Sequence, residues 1–104
     1  MTKLLINNKN YLELLLSTSR EQALTLLHTA TAEQGLMISE IAKNILHLPL
    51  PKQAKRYVKS KKSLLRHLAR RSLSKRERQR IIRKHAKYLL QVFWSLREPF
   101  YELL

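Results

Sequence analysis

The chain has no cysteine, no aspartate, one glycine and three prolines among its 104 residues. Without cysteine there is no disulfide framework, zinc knuckle or thiol nucleophile, which excludes a secreted scaffold stapled by disulfides. So little glycine and proline leaves scant material for tight turns, which argues against a β-sandwich or barrel and for helices joined by short connections. Long apolar runs are missing too. Nothing approaches the ~18 residues of a membrane span, and the opening Met1-Thr-Lys-Leu-Leu-Ile-Asn-Asn holds too few consecutive apolar residues for a signal-peptide core. The expectation is a soluble intracellular protein, or one attached to something by its charge.

Negative charge is scarce as well. Seven Glu stand against 21 Lys+Arg, a formal charge of +14, which excludes an ordinary neutral globular enzyme. The 44% apolar content still supplies a modest core, and this length fits one domain that buries roughly 60–68% of the surface of its unfolded chain. The charge is also unevenly placed. Residues 1–51 balance Lys3, Lys9, Arg20 and Lys43 against Glu13, Glu21, Glu33 and Glu40. From Lys52 to Lys87, 16 basic residues face one acid, Glu77, a net of +15. Residues 88–104 hold Arg97, Glu98 and Glu102 within an aromatic stretch. The chain therefore reads as a single helical domain with a neutral part (1–51), a basic helix pair (52–87) and an apolar, aromatic end (88–104).

Local signals place the helices. Asn10 to Leu16 is a short helical stretch ended by Ser17-Thr-Ser. Ser19 to Gln22 fits a capping box, followed by Ala23, Leu24 and Leu27 on one face to about His28. Thr31 to Gln34 fits another, and Leu36, Met37, Ile38, Ile41, Ile45 and Leu48 form an apolar stripe that Pro49 and Pro51 must end near His47. A helix from about Lys52 to Arg71 carries Tyr57, Val58, Leu64, Leu65 and Leu68 on its core side. Ser74 to Glu77 starts the last helix, which reaches toward Arg97, with Ile81, Ile82 and Leu89 marking its buried side. The sequence thus predicts an all-α, compact bundle of four to five helices, two of them long and basic.

The basic stretch is the strongest functional signal. Lys and Arg neutralise phosphates and release condensed counterions, an attraction that needs density of charge and no motif. A solvated helix face normally mixes signs, and one acid among 17 charges does not fit that alternative. The candidate nucleic-acid-binding residues are Lys52, Lys55, Arg56, Lys59, Lys62, Arg66, Arg70, Arg71, Lys75, Arg76, Arg78, Arg80, Arg83, Lys84 and Lys87. Base readout usually adds Asn or Gln at the reading face, and only Gln53 and Gln79 qualify, so backbone binding is favoured. Tyr57 is the one aromatic within the basic stretch, and its spacing assigns it to the core.

Other chemistry is poorly represented. His28, His47, His67 and His85 lie 18 to 20 residues apart, so no pair shares the spacing of a metal site on one helix. The glutamates are single, and no Ser-His or Lys-carboxylate arrangement stands out, so no catalytic residue, metal or cofactor is assigned and a non-enzymatic role is expected. Gly35 belongs to no phosphate-cradling loop and reads as close helix packing or a loosened first turn. Phe93, Trp94, Phe100 and Tyr101 are either core or a partner-docking surface for a capsid, a second copy or a membrane.

The segment Ile38 to Lys55, followed by Lys61 to Ala69 and Ser74 to Ile82, resembles small basic proteins of adintoviruses and related Polinton-like DNA viruses of animals and their integrated copies. There a Glu-Ile-x-x-Asn-Ile/Val-Leu helix leads through a Pro-Leu turn into a Lys/Arg-rich helix pair. Glu40, Ile41, Asn44, Ile45, Leu46, Pro49 and Leu50 match the first part. Leu64, Leu65, Arg66, Leu68, Ser74, Lys75, Arg76, Ile81 and Ile82 match the second. The resemblance covers about residues 20–85. Those proteins often continue with Gly-Gly-Phe-Leu and an apolar tail similar to adenovirus core peptides, whereas Lys84-His-Ala-Lys-Tyr-Leu-Leu stands here without glycine, so no core-peptide or membrane activity is carried over. The resemblance implies a virion-associated, genome-packaging protein that acts in the virion and the host nucleus.

Double-stranded DNA is the leading partner on this reading. RNA, viral capsid proteins and a second copy of the chain remain open, and no small-molecule substrate is expected. A sequence-specific regulator resembling a helix-turn-helix, and a capsid- or membrane-docking protein using the aromatic end, are the alternative functions.

Overall fold

A computed structural model describes residues 3–47, 49–70 and 72–97, and every regular element among them is helical. In chain order these are α1 (Lys3–Asn7), α2 (Lys9–Ser17), α3 (Arg20–His28), α4 (Ala32–Ile45), α5 (Lys52–Ser60), α6 (Lys62–Leu68), α7 (Lys75–Lys84) and α8 (Ala86–Ser95). The all-α class agrees with the sequence. Arg71, Phe100, Tyr101 and the side chain of Gln53 lie outside the described residues.

The capping signals act where their residues predict. At α4 the box is complete: the Gln34 N–H donates to Thr31 Oγ1 at 3.1 Å, and the Thr31 N–H donates to Gln34 Oε1 at 3.0 Å. At α3 and α7 only one arm forms, with the Gln22 N–H donating to Ser19 Oγ at 3.3 Å and the Glu77 N–H to Ser74 Oγ at 3.2 Å. The side-chain carbonyl of Gln22 instead accepts from the Thr18 hydroxyl. Pro51 closes the approach to α5 by offering its carbonyl to the Lys55 N–H at 3.0 Å.

Where four to five helices are expected, the described residues form eight segments, because the chain bends at Asn8, Lys61 and His85. The break at Lys61, with φ −135° and ψ 43°, has a visible cause. The Tyr57 carbonyl, which the Lys61 N–H would take in an unbroken helix, accepts from the Ser60 hydroxyl at 2.8 Å and the Tyr88 phenol at 2.7 Å. Such side-chain competition for a ladder carbonyl bends helices. At His85, with φ −113° and ψ 23°, the ladder survives on both sides, the His85 N–H reaching Ile81 and the Leu89 N–H reaching His85, each at 3.0 Å. That junction is a bend rather than a stop.

One apolar cluster joins all the longer segments. Met37, Ile38, Ile41, Ala42 and Ile45 of α4 are buried between α6, α7 and α1, while Leu89, Leu90, Val92 and Phe93 of α8 are buried where that helix meets α3, α5 and α7. The nearly all-round apolar character of residues 88–96 is thus that of a helix enclosed on several sides. Polar tips tie the layers. Tyr11 donates its hydroxyl to the Leu26 carbonyl at 2.9 Å, and the Trp94 indole N–H donates to the Leu15 carbonyl at 3.1 Å. A radius of gyration of 12.4 Å matches a fully collapsed chain, since about 13 Å is usual for 100 folded residues.

Of the four aromatic candidates, the two that are described, Phe93 and Trp94, fall on the core side of the two readings. Phe93 is fully buried in the core, and Trp94 is half-buried, with its N–H used internally and the Arg97 guanidinium 4.7 Å from its ring centroid. Neither offers the free aromatic face that an interface anchor requires.

Candidate nucleic-acid interface

The periodicity of α7 sorts its cations. Arg78, Ile81 and Ile82 fall on one side at three- and four-residue steps and are buried, while Lys75, Arg76, Arg80, Arg83 and Lys84 remain exposed. Arg76, Arg80 and Lys84 form one row and Lys75, Gln79 and Arg83 a second, and together they line a shallow surface depression of about 820 Å³. Two bonds fix this face against the α3–α4 turn. Arg83 Nε donates to the His28 carbonyl at 3.0 Å, and Gln79 Nε2 donates to the Ala30 carbonyl at 3.3 Å. The Arg83 bond places a cation on the negative end of the α3 dipole and uses one of the guanidinium's five N–H donors.

Arg78 leaves the set of candidate phosphate ligands. It is 5% exposed, Nε donates to Ser39 Oγ at 2.9 Å, and a terminal nitrogen donates to the Leu73 carbonyl at 3.1 Å. Its aliphatic stem lies over Gly35, where an added Cβ would meet Arg78 Cδ and Ile82 Cδ1 at 3.6 Å. Gly35 thus packs beside this stem at the start of α4 with room for a Cβ in ordinary contact. The arginine is a structural tie between α4 and the α6–α7 connection.

On α5 and α6, Lys52, Lys55, Arg56, Lys59, Lys62 and Arg66 are all exposed, as is Arg70 in the connection that follows α6. Among the described residues the one ion pair is Lys9 with Glu13 at 3.9 Å, on α2. The described cations of the basic stretch other than Arg78 therefore face solvent without carboxylate partners among the described residues, and their fields add.

The two basic segments meet in a groove of about 650 Å³. Tyr57, Ser60 and Lys61 line it from the α5–α6 break, Arg83, Lys84 and His85 from the end of α7, Lys87, Tyr88 and Gln91 from α8, and His28 from the end of α3. Lys61 Nζ sits 5.5 Å from the Tyr88 ring centroid. Burial, reinforced by the neighbouring Lys61 and Lys84, holds the His85 imidazole below its ordinary value of 6.5. Desolvation pushes the Tyr88 phenol up to about 12, so it stays a neutral donor to Tyr57. Tyr57, expected in the core, is 38% exposed at the groove wall, because Ala54 and Val58 take the buried side of α5.

Sequence reasoning did not select Lys61, His28 or His85 as site residues: Lys61 and His85 fall within the basic stretch, but their meeting in one groove, whose wall includes the Tyr88 bond to Tyr57 across 31 residues, is tertiary. Among the described residues there is no cluster of three His, Cys, Asp or Glu able to hold a metal, and no helix is long and apolar enough to cross a membrane. No family model, curated protein or solved structure matches the chain.

Proposed function

We propose that the protein binds nucleic acid without catalysis and largely without regard to sequence, with double-stranded DNA as its main partner, and that it condenses or packages a genome. The observation that carries this reading is the surface of carboxylate-free cations spread over α5, α6 and α7. Arg supplies forked hydrogen bonds to phosphate and Lys point charges, which suits backbone contact. Gln79, the one described amide candidate for base readout, already donates to the Ala30 carbonyl, which favours this reading over a sequence-specific regulator. The longest dimension, 33 Å, spans about one turn of duplex, whose repeat is roughly 34 Å. A virion role, with the host nucleus as the place of loading, follows from the resemblance to the small basic proteins of adintoviruses.

The test is binding to unrelated duplexes across ~50–200 mM salt, where six to ten phosphate contacts cost about 10³–10⁵ in affinity. Equal affinity for all sequences with that steep salt dependence supports the proposal. One duplex outcompeting random DNA by more than about 10³ would replace it with the regulator, and no duplex binding at ~50 mM salt would remove it.

A further inference from the structure

The groove between the α5–α6 break and the α7–α8 bend differs from the rest of the basic surface in three ways. It is concave, it draws its cations from segments far apart in sequence, and it brings two imidazoles, His28 and His85, in among them, where the basic helix faces of α5 to α7 carry a single described imidazole, His67. We propose that this groove seats one phosphodiester group of the bound nucleic-acid backbone and that His85 takes up a proton when the phosphate enters. The inference rests on the nucleic-acid reading and adds to it a discrete, proton-linked phosphate site.

Among the described residues, every permanently charged group lining the groove around His85 is a cation. Lys61 stands on the α5–α6 side, Arg83 and Lys84 on α7 and Lys87 on α8, with His28 of α3, Tyr57 and Tyr88 closing the wall, and among the described residues no carboxylate lines the groove. In the free protein an imidazolium at this place is opposed both by burial and by Lys61 and Lys84, so His85 is neutral at pH 7. A phosphate reverses that balance. It supplies the missing negative charge, offsets Lys61 and Lys84, and offers oxygens to a protonated ring. The step is one proton from solvent onto the imidazole, with no bond to the nucleic acid made or broken.

By linkage, duplex affinity must rise as pH falls through the titration of His85, by up to tenfold for each unit by which the bound phosphate raises its pKa. The experiment is titration calorimetry of the whole chain with a random-sequence duplex of ~20 bp, at pH 8 and pH 6 and in two buffers of different ionisation heat. The parent, His85→Gln, Lys61→Gln and, as a control on α6 outside the groove, His67→Gln are compared, with circular dichroism checking that each is folded. The expected result is proton uptake by the parent and a three- to tenfold gain in affinity at pH 6, of the order that one linked imidazole allows. His85→Gln loses most of both, Lys61→Gln loses part, and His67→Gln keeps them. Equal losses in His85→Gln and His67→Gln, or tight duplex binding without proton uptake, overturn the groove site while leaving the functional reading standing. Absence of duplex binding by the parent at either pH overturns both.

Discussion

Arg78 and Arg80 lie two residues apart on one helix and should fail in opposite ways. Replacing Arg78 with methionine keeps most of the stem over Gly35 but removes the donors to Ser39 Oγ at 2.9 Å and to the Leu73 carbonyl at 3.1 Å. Both acceptors then lose a charged partner in the interior, and a buried polar group left unsatisfied costs about 1–3 kcal/mol. Two of them bring the expected loss to about 3 kcal/mol. At roughly 4–8 °C per kcal/mol for a domain of about this size, Arg78→Met should melt about 12–24 °C below the parent. Duplex affinity of the folded protein, measured well below that transition, should be unchanged. Arg80→Met removes an exposed cation on the outer row of α7, so its melting temperature should stay within about 2 °C, the scale of an ordinary surface change. Its salt slope for duplex binding should fall by about 0.9, the signature of one lost phosphate contact. Thermal melts by circular dichroism and fluorescence anisotropy at several salt concentrations give all four values. If Arg78→Met melts with the parent, or binds as weakly as Arg80→Met, the sorting of α7 into a structural and a nucleic-acid side is wrong.

Two further outcomes follow from the packing. The Cβ of Gly35→Ala would sit in ordinary van der Waals contact, 3.6 Å from Arg78 Cδ and Ile82 Cδ1. The variant should therefore be stabilised by up to about 1 kcal/mol through helix propensity alone, and a lower melting temperature would show that the contact is tighter than this geometry allows. Tyr11 and Tyr88 are both held up to about 12 by burial, each donating its hydroxyl to a carbonyl. The folded state keeps these protons at a pH where the unfolded chain, with phenols near 10, has released them. Their contribution is therefore complete below pH ~10 and is lost as pH rises toward 12. Urea denaturation at pH 9, 10 and 11 should show stability falling across that window, and Tyr88→Phe, which gives up the bond to Tyr57, should flatten the fall.

What was legible in the sequence was what is decided locally. Ser19, Thr31 and Ser74 announce helix starts because a cap is satisfied within four residues, and Pro49 and Pro51 end α4 because a proline ring cannot continue it. The charge asymmetry was legible for a similar reason, since exposure is the default for Lys and Arg and needs no tertiary partner. Arg78 is the exception that a closer reading of period could have caught. It stands three and four residues before Ile81 and Ile82, on the apolar face, and its stem packs beside Gly35. Trp94 and Phe93 read as core by default with docking as the alternative, and the enclosure of α8 by α3 and α5 decides for the core.

The groove was beyond sequence reasoning for a definite physical reason. Its two walls are built by departures from ideal helix, at Lys61 and His85, and helical periodicity describes only helices that continue. The break at Lys61 requires the Tyr57 carbonyl to be taken by Ser60 from the same segment and by Tyr88 from another. That second donor is positioned by α8 packing on α5, a contact that no local spacing encodes. The same bend that costs the helix a ladder bond brings Lys61 toward His85 and the end of α7. The fold thus brings cations of two basic segments together against their mutual repulsion, held by the buried apolar faces of α4 and α8. An arrangement that stores such repulsion in a concave site is the kind that a polyanion relieves, and this is why the groove rather than the flat helix faces carries the sharper functional inference.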